Sequence, residues 1–229
     1  MIRCDPDMQT CDVLVMGGGI GGLMTAYRLA EKAPELSICL MERGRDIRDR
    51  ICPIVAGKVK KCIKCDPCAI MEGLAGAGAF SDGKYVISTE YGGWLTDFIE
   101  PKEVMDLIDY VDSINVAHGA TTECFSTSTP EARALERRAL AYDLHLLQAR
   151  CKHLGTENNL RILQNIYEGL KDKLEFRFNT PVTHIAREGE DFRLTLGKGE
   201  ELSCRWLIAA PGRSGAEWFA EECKGLGIH

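Results

Sequence analysis

Three glycines, Gly17, Gly19 and Gly22, have the G-x-G-x-x-G spacing of a turn that binds phosphate. In this motif the first glycine permits a tight turn and the second lets the backbone approach a pyrophosphate. The third lets the following helix pack closely on the preceding strand. Glu42 follows about 20 residues after the last glycine, where a carboxylate accepts a hydrogen bond from a ribose 2′-hydroxyl. The spacing predicts a bound dinucleotide, and the acid argues against a ligand with a 2′-phosphate.

A second group of reactive residues comprises Cys52, Cys62, Cys65 and Cys68, the last three at C-x-x-C-x-x-C spacing. Four clustered thiols suit an iron–sulfur cluster or a structural zinc ion, although a ferredoxin run has its fourth cysteine after the triplet. Nearby lysines favour the thiolate form. We predict a metal centre, with a redox-active dithiol or uncoordinated cysteines as the alternatives. The other seven cysteines lack motif spacing and are predicted to be mostly buried: Cys4, Cys11, Cys39, Cys124, Cys151, Cys204 and Cys223.

The glycine turn and the acid require a strand, a helix and a second strand to position them. Val13–Met16 is a short apolar run suited to a buried parallel strand, and Leu23–Lys32 is rich in helix formers. Pro34 ends this helix, and Leu36–Met41 is apolar again. The order predicts a βαβ unit and an α/β fold with a parallel sheet.

The remaining sequence divides into segments of different character. We assign residues 1–95 to the βαβ unit with long glycine-containing and cysteine-rich loops, and residues 96–173 to a mainly helical insert. From residue 174 onward the apolar period approaches two. Residues 174–229 are therefore predicted to form a small antiparallel β-meander and a final buried strand, Trp206–Ala210.

Composition excludes several classes of protein. The 229 residues are 45% hydrophobic and 27% charged, which is ordinary for a globular protein. The net charge of −6 and the scattered basic residues argue against nucleic-acid binding. No apolar run approaches the roughly 20 residues that span a bilayer, and the first residues lack the apolar core of a signal peptide. We therefore expect a cytoplasmic protein with no membrane partner.

The order of these segments resembles that of flavoproteins of the glutathione reductase type. More narrowly, the chain resembles an uncharacterised family of bacterial FAD-dependent dehydrogenases or oxidoreductases. The residues that carry the resemblance are GGGIGG at 17–22, MERG at 41–44, the cysteine group at 52–68, GLAGAGAFSDGK at 73–84, HLGTE at 153–157 and LIAAPGRSG at 207–215. The resemblance implies a Rossmann-like FAD-binding domain with a helical insert and a small meander.

The resemblance also implies which residues contact FAD. They are Gly17, Gly19, Gly21, Gly22, Glu42, Arg43, Gly76, Gly78, Ser81, Asp82, Gly83, Lys84, Val182 and Gly212. Lys84 would place positive charge near the pyrimidine edge of the flavin and stabilise its reduced anion. The alternative for Lys84 is a solvated lysine in a glycine-rich turn. Val182 would offer backbone groups to adenine, and Gly212 would pack against the cofactor.

Relatives of this type usually carry a late Gly-Asp motif that binds the ribityl chain, and residues 213–229 do not supply one. The chain therefore resembles the N-terminal half of a longer protein. We predict an FAD-binding oxidoreductase chain or fragment that passes hydride or electrons to an unidentified small molecule or redox partner. The alternative is a non-catalytic or incomplete nucleotide-binding subunit that needs a partner chain or its missing half. No acid–base pair is nominated as catalytic.

Overall fold

The computed structural model describes residues 10–90 and 92–228 of the chain. These residues form two compact units, one built from the residues up to Ala79 and from Gln164 onward, the other from Phe80–Leu163. The strands are β1 (Thr10–Met16), β2 (Ile38–Met41), β3 (Lys84–Ile87), β4 (Phe125–Ser126), β5 (Arg150–His153), β6 (Glu175–Arg177), β7 (Val182–Glu188), β8 (Asp191–Leu196) and β9 (Glu201–Ala209). The helices are α1 (Ile20–Lys32), α2 (Pro101–Ala117), α3 (Pro130–Leu140), α4 (Thr156–Leu170) and α5 (Ala216–Gly225).

A six-stranded sheet in the order β6-β2-β1-β9-β8-β7 forms the first unit. The strand β1 lies between two parallel neighbours, so that Val15 is level with Leu40 of β2 and Ile208 of β9. All four residues of β2 are buried, because a parallel strand in the middle of a sheet is covered on both faces. The predicted α/β fold with a parallel βαβ unit is confirmed.

The helix α1 connects β1 to β2 and packs on the sheet through one face. Its buried residues are Gly22, Leu23 and Ala26, which recur at the spacing of a single helix face. The helix ends at Lys32, and its C-cap Ala33 is followed by Pro34, whose ring cannot continue a helix. The glycine turn is thereby held between the end of β1 and the first turn of α1.

The first strand after residue 174 does not belong to the antiparallel meander that the sequence predicts. The segment around Glu175–Arg177 was expected to open the antiparallel meander, but β6 pairs in parallel with β2, and Phe176 lies level with Leu40. The helix α4 precedes β6 and supplies the long connection that a parallel strand requires. The prediction for this segment was wrong, because the alternation of apolar residues over three positions does not tell whether the neighbouring strand runs parallel or antiparallel. The strands β7, β8 and β9 do form an antiparallel meander.

The second unit contains α2, α3 and a three-stranded antiparallel sheet in the order β3-β5-β4. The strand β5 was not predicted, because Arg150–His153 carries polar residues in a segment interpreted as helical. The cap of α3 is Thr129, whose hydroxyl accepts a hydrogen bond from the Ala132 amide at 3.2 Å. No helix among the described residues is both long and apolar enough to cross a membrane.

Candidate functional site

The glycine turn after β1 brings three backbone segments closer together than side chains would allow. Gly17 has φ +103°, and a Cβ built on it would stand 2.2 Å from the Ala210 carbonyl oxygen. A Cβ on Gly22 would stand 1.8 Å from the Gly17 carbonyl oxygen. Glycine at these two positions therefore lets β1, the end of β9 and α1 meet. This is the geometry that the first and third glycines of the fingerprint require.

The second glycine of the motif has a different environment. Gly19 is the N-cap of α1 with extended backbone angles, and a Cβ built on it meets no atom within 4 Å. The first turn of α1 has no acidic side chain, and no side chain caps it. The N–H groups at the start of a helix attract anions. Open space beside an uncapped helix start fits the phosphates of a nucleotide.

A cleft of about 380 Å³ opens where β1, β2 and β9 end. Its volume falls within the range of about 300–1,000 Å³ typical of small-molecule sites. In open sheets with parallel strands, ligands bind beyond the carboxyl ends of the strands. The predicted site residues that line the cleft are Gly17, Gly19, Glu42, Arg43, Gly76, Gly78, Val182 and Gly212. Residues from five separate parts of the sequence are thus brought together in the first unit.

Two of the predicted glycines stand apart from the lining of this cleft. Gly22 lies under the turn and is fully enclosed by the contact with Gly17 and by the Val15 side chain. Gly21 is exposed, and a Cβ there would make ordinary contact with Ala210 at 3.9 Å. Gly22 therefore packs the turn, Gly21 is at its surface, and Gly19 faces the space of the cleft.

The Glu42 carboxylate is almost completely buried, with 6% of the residue exposed. One of its oxygens accepts a hydrogen bond from the Gly18 amide at 2.7 Å, and the other accepts one from the Gly44 amide, also at 2.7 Å. Each carboxylate oxygen can accept more than one hydrogen bond. Glu42 thus holds the glycine turn against the end of β2 and retains acceptor capacity at the wall of the cleft.

The neighbouring Arg43 is turned toward acidic side chains of the following loop. Its guanidinium pairs with Asp66 and lies 3.5 Å from the Glu72 carboxylate. Arg213 also lines the cleft, in the turn after Gly212. The charge of Arg43 is therefore compensated by acidic side chains, and Arg213 brings a second guanidinium to the lining of the cleft.

Comparison with protein families and with curated proteins finds no match. Among solved structures, glycine oxidase from Geobacillus kaustophilus superimposes with a TM-score of 0.54 at 14% identity, over 97% of this chain and 60% of that one. The L-amino acid deaminase from Proteus vulgaris superimposes with a TM-score of 0.47 at 13% identity, over 96% of this chain and 50% of the deaminase. An oxidized steroid monooxygenase bound to NADP superimposes with a TM-score of 0.42 at 15% identity, over 89% of this chain and 26% of the monooxygenase.

The likeness to glycine oxidase establishes the fold. The other two superpositions are weaker. In each case the chain spans only part of the length of the other protein, from about a quarter of the steroid monooxygenase to 60% of the glycine oxidase. The superposition on glycine oxidase covers nearly all of this chain.

The segment Ser81–Lys84 belongs to the second unit. Gly83 has φ +66°, and a Cβ there would stand 2.9 Å from the Asn159 side chain, so the turn requires glycine. The Lys84 ammonium lies 3.2 Å from the Asp82 carboxylate, and both side chains are mostly exposed. Hydrogen bonding and proximity to Lys84 lower the pKa of Asp82. The contact of this segment with a flavin remains a prediction.

The structure does not support the predicted metal centre. Cys62 is exposed, whereas Cys52, Cys65 and Cys68 are partly exposed. Nowhere in residues 10–90 and 92–228 do three or more cysteine, histidine or acidic side chains come together as a metal site. The spacing of the triplet permits convergence but does not impose it, because the connecting loop has no regular structure. The ten described cysteines form no disulfide, and Cys4 lies outside the described residues.

The buried and the exposed cysteines are expected to differ strongly in their rates of alkylation. Burial raises the pKa of Cys11 to about 12 and that of Cys204 to about 11, from an ordinary value of 9.0. Both thiols therefore stay protonated at pH 8 and resist iodoacetamide in the native chain, whereas the exposed Cys62 and Cys124 are alkylated first. Peptide mass spectrometry over a time course measures the order. Early labelling of Cys11 or Cys204 in the folded chain contradicts this assignment.

The same two thiols link stability to alkaline pH. Because their pKa values are higher in the folded state, the stability they contribute is complete below pH 9 and declines as the pH rises through 11 and 12. The slope for each thiol reaches about 1.4 kcal/mol per pH unit in this window. Alanine at either position is expected to flatten the alkaline fall in the free energy of unfolding.

Several residues of the cleft were missed by the sequence analysis. Those with polar or aromatic side chains are Glu72, Thr180, Arg213, Ser214 and Trp218. The Thr180 amide donates to the Glu42 carbonyl at 3.1 Å, and this bond ties the loop before β7 to the end of β2. The sequence signal for these residues was their closeness to predicted site residues: Glu72 precedes the glycine segment at 73–84, Thr180 is near Val182, and the other three follow Gly212. Their joint position depends on strand pairing across the whole sheet.

Proposed function

We propose that the chain is the nucleotide-binding part of an FAD-dependent oxidoreductase. The observation that carries this proposal is the open, uncapped start of α1 at Gly19, opposite a second wall of small residues that includes Gly76 and Gly78. A dinucleotide binds with its pyrophosphate at such a helix start, where backbone amides and the helix dipole stabilise the negative charge.

The residues present fit the ADP half of FAD. In this proposal Gly19 and the first turn of α1 hold the pyrophosphate. The Glu42 carboxylate accepts a further hydrogen bond from a ribose hydroxyl, in addition to the one from the Gly18 amide. Val182 and Gly212 also line the cleft, where Val182 would offer backbone groups to adenine and Gly212 would pack against the cofactor. Bound FAD supplies hydride and electron transfer. Lys84 is proposed to provide positive charge for a reduced flavin, an assignment that comes from the sequence resemblance alone.

A second candidate function is an incomplete nucleotide-binding unit that is inactive without further protein. The observation that favours it is coverage, since the chain spans 60% of the glycine oxidase that shares its fold. Under this alternative the cleft binds the adenosine diphosphate part of a cofactor, and the flavin ring lacks its own pocket in this chain.

Equilibrium binding separates the two candidates. The purified chain is titrated with FAD, ADP and FMN in a calorimeter, and the flavin retained after gel filtration is measured by its visible absorption. We expect FAD to be retained, ADP to compete with it, and FMN, which lacks the AMP part of FAD, to bind weakly. Binding of ADP with no retention of FAD supports the incomplete unit. Failure to bind either FAD or ADP rejects both.

A further inference from the structure

A buried arginine lies beneath the second wall of the cleft. Arg50 is 4% exposed, although it belongs to a loop and no motif marks it. Its Nε donates to the Ala69 carbonyl at 3.1 Å, and Nη2 donates to the Ile70 carbonyl at 2.8 Å. Its Nη1 donates to the carbonyls of Leu74 at 2.6 Å and Gly76 at 2.8 Å. One guanidinium therefore bonds to both ends of the segment 69–76.

The far end of that segment lies directly on the glycine turn. The Ala75 amide donates to the Gly18 carbonyl at 2.7 Å, and a Cβ on Gly76 would stand 3.2 Å from the Gly19 Cα. Ala75 has φ +68° and is 1% exposed, so its backbone is held in a left-handed conformation that a non-glycine residue rarely adopts. Such a conformation persists only where surrounding bonds fix it. The Arg50 bonds to Leu74 and Gly76 flank this residue on both sides.

The Glu42 carboxylate, which lines the cleft, favours the charged form of Arg50. Burial lowers the pKa of Arg50 to about 10, and the Glu42 carboxylate opposes that shift. The guanidinium is therefore charged at neutral pH. Glu42 in turn accepts from the amides of Gly18 and Gly44. The two buried charges together hold the glycine turn, the end of β2 and the segment 69–76.

We propose that Arg50 is a positioning residue for nucleotide binding, which acts by holding the segment 69–76 against the glycine turn so that Gly76 and Gly78 form the second wall of the cleft. Arg50 is not among the residues that line the cleft. It acts through backbone carbonyls, and only a planar group with several fixed donors can reach four of them at once. The inference rests on the proposed nucleotide-binding function. It adds to that function a residue that is not part of the G-x-G-x-x-G motif.

The test compares Arg50→Met, Arg50→Lys and Arg50→Ala with a matched control, Arg48→Met. Arg48 is on the same loop but is half exposed and pairs with Glu168. The first readout is amide hydrogen exchange in the ligand-free chain at Leu74, Ala75 and Gly76, whose amides are all bonded in the folded protein. The second is the Kd for ADP. We expect Arg50→Met to lose exchange protection at these amides and to weaken ADP binding by about tenfold or more, and Arg48→Met to change neither.

Rescue separates positioning from a general loss of fold. Arg50→Lys keeps the charge but not the planar donors, and it is expected to restore only part of the affinity. Guanidinium ion at millimolar concentration is expected to restore both protection and affinity in Arg50→Ala, and to have no effect on the parent chain. Should Arg50→Met not fold, the lysine and rescued alanine variants give the answer.

The outcomes distinguish this inference from the proposed function. Unchanged exchange at the three amides overturns the positioning role, and so does lost protection with an unchanged Kd for ADP. If the parent chain binds neither ADP nor FAD, the proposed function fails. In that case loss of protection in Arg50→Met still supports Arg50 as the residue that holds segment 69–76, whereas unchanged protection overturns it.

Discussion

The variant Gly19→Ala is expected to keep its fold and to lose nucleotide affinity. The backbone of Gly19 is extended, with φ −65°, and an added Cβ meets no protein atom within 4 Å. The methyl group therefore costs the folded chain little. It would occupy the space beside the first turn of α1 that the pyrophosphate needs. Overpacking of this kind costs about 1–3 kcal/mol, which raises the Kd for ADP or FAD by about 5- to 150-fold.

The matched control is Gly22→Ala, whose Cβ would stand 1.8 Å from a backbone oxygen. That contact cannot be relieved by rotating a side chain, so this variant is expected to lose stability, with a lower midpoint of thermal unfolding. Titration calorimetry with ADP and thermal unfolding followed by circular dichroism measure the two effects. Unchanged ADP affinity in a folded Gly19→Ala variant would place the ligand elsewhere and would reject the phosphate assignment.

The second large effect is expected in the other unit, at a buried ion pair. Lys152 on β5 is 2% exposed, and its ammonium lies 2.7 Å from one oxygen of Asp112 on α2. The second oxygen of Asp112 is buried without a hydrogen-bond partner. Lys152→Met leaves this carboxylate without its counter-charge. Removing one partner of a buried pair costs about 3–5 kcal/mol.

A neighbouring pair between the same two elements provides the control. Arg150 on β5 contacts Asp109 on α2 at 2.8 Å, but both side chains are about half exposed. Arg150→Met is therefore expected to cost less than about 1 kcal/mol. Urea unfolding of both variants gives the comparison. A double variant, Lys152→Met with Asp112→Leu, removes both charges and is expected to recover most of the loss. Equal effects of Lys152→Met and Arg150→Met would contradict the role assigned to burial.

Much of the fold was predictable because it is encoded over short stretches. The apolar run of β1, the helix formers of α1 and the stop at Pro34 each depend on residues close together in the sequence. The glycine spacing also predicts close contact, and the structure shows that contact at Gly17 and Gly22. Local pattern was insufficient for β6, whose parallel neighbour is set by the passage of α4.

The candidate site was predictable to a lesser extent. The fingerprint glycines and Glu42 lie within one βαβ unit, so their spacing is enough to bring them together. Thr180 and Trp218 join the same cleft through the pairing of distant strands, and no local spacing marks them. The cysteine triplet shows the opposite case, since its regular spacing lies in a loop that does not bring the thiols together.

The sequence by itself determined the glycine turn, the βαβ unit and the acid at its end, because strand and helix periodicity and glycine stereochemistry act over neighbouring residues. Only the tertiary structure decided that Arg50 lies beneath the cleft. Its carbonyl partners are 19 to 26 residues away, and burial makes the bonds to them necessary. A buried guanidinium must satisfy its donors wherever the fold provides acceptors, and that requirement is set by packing of distant segments.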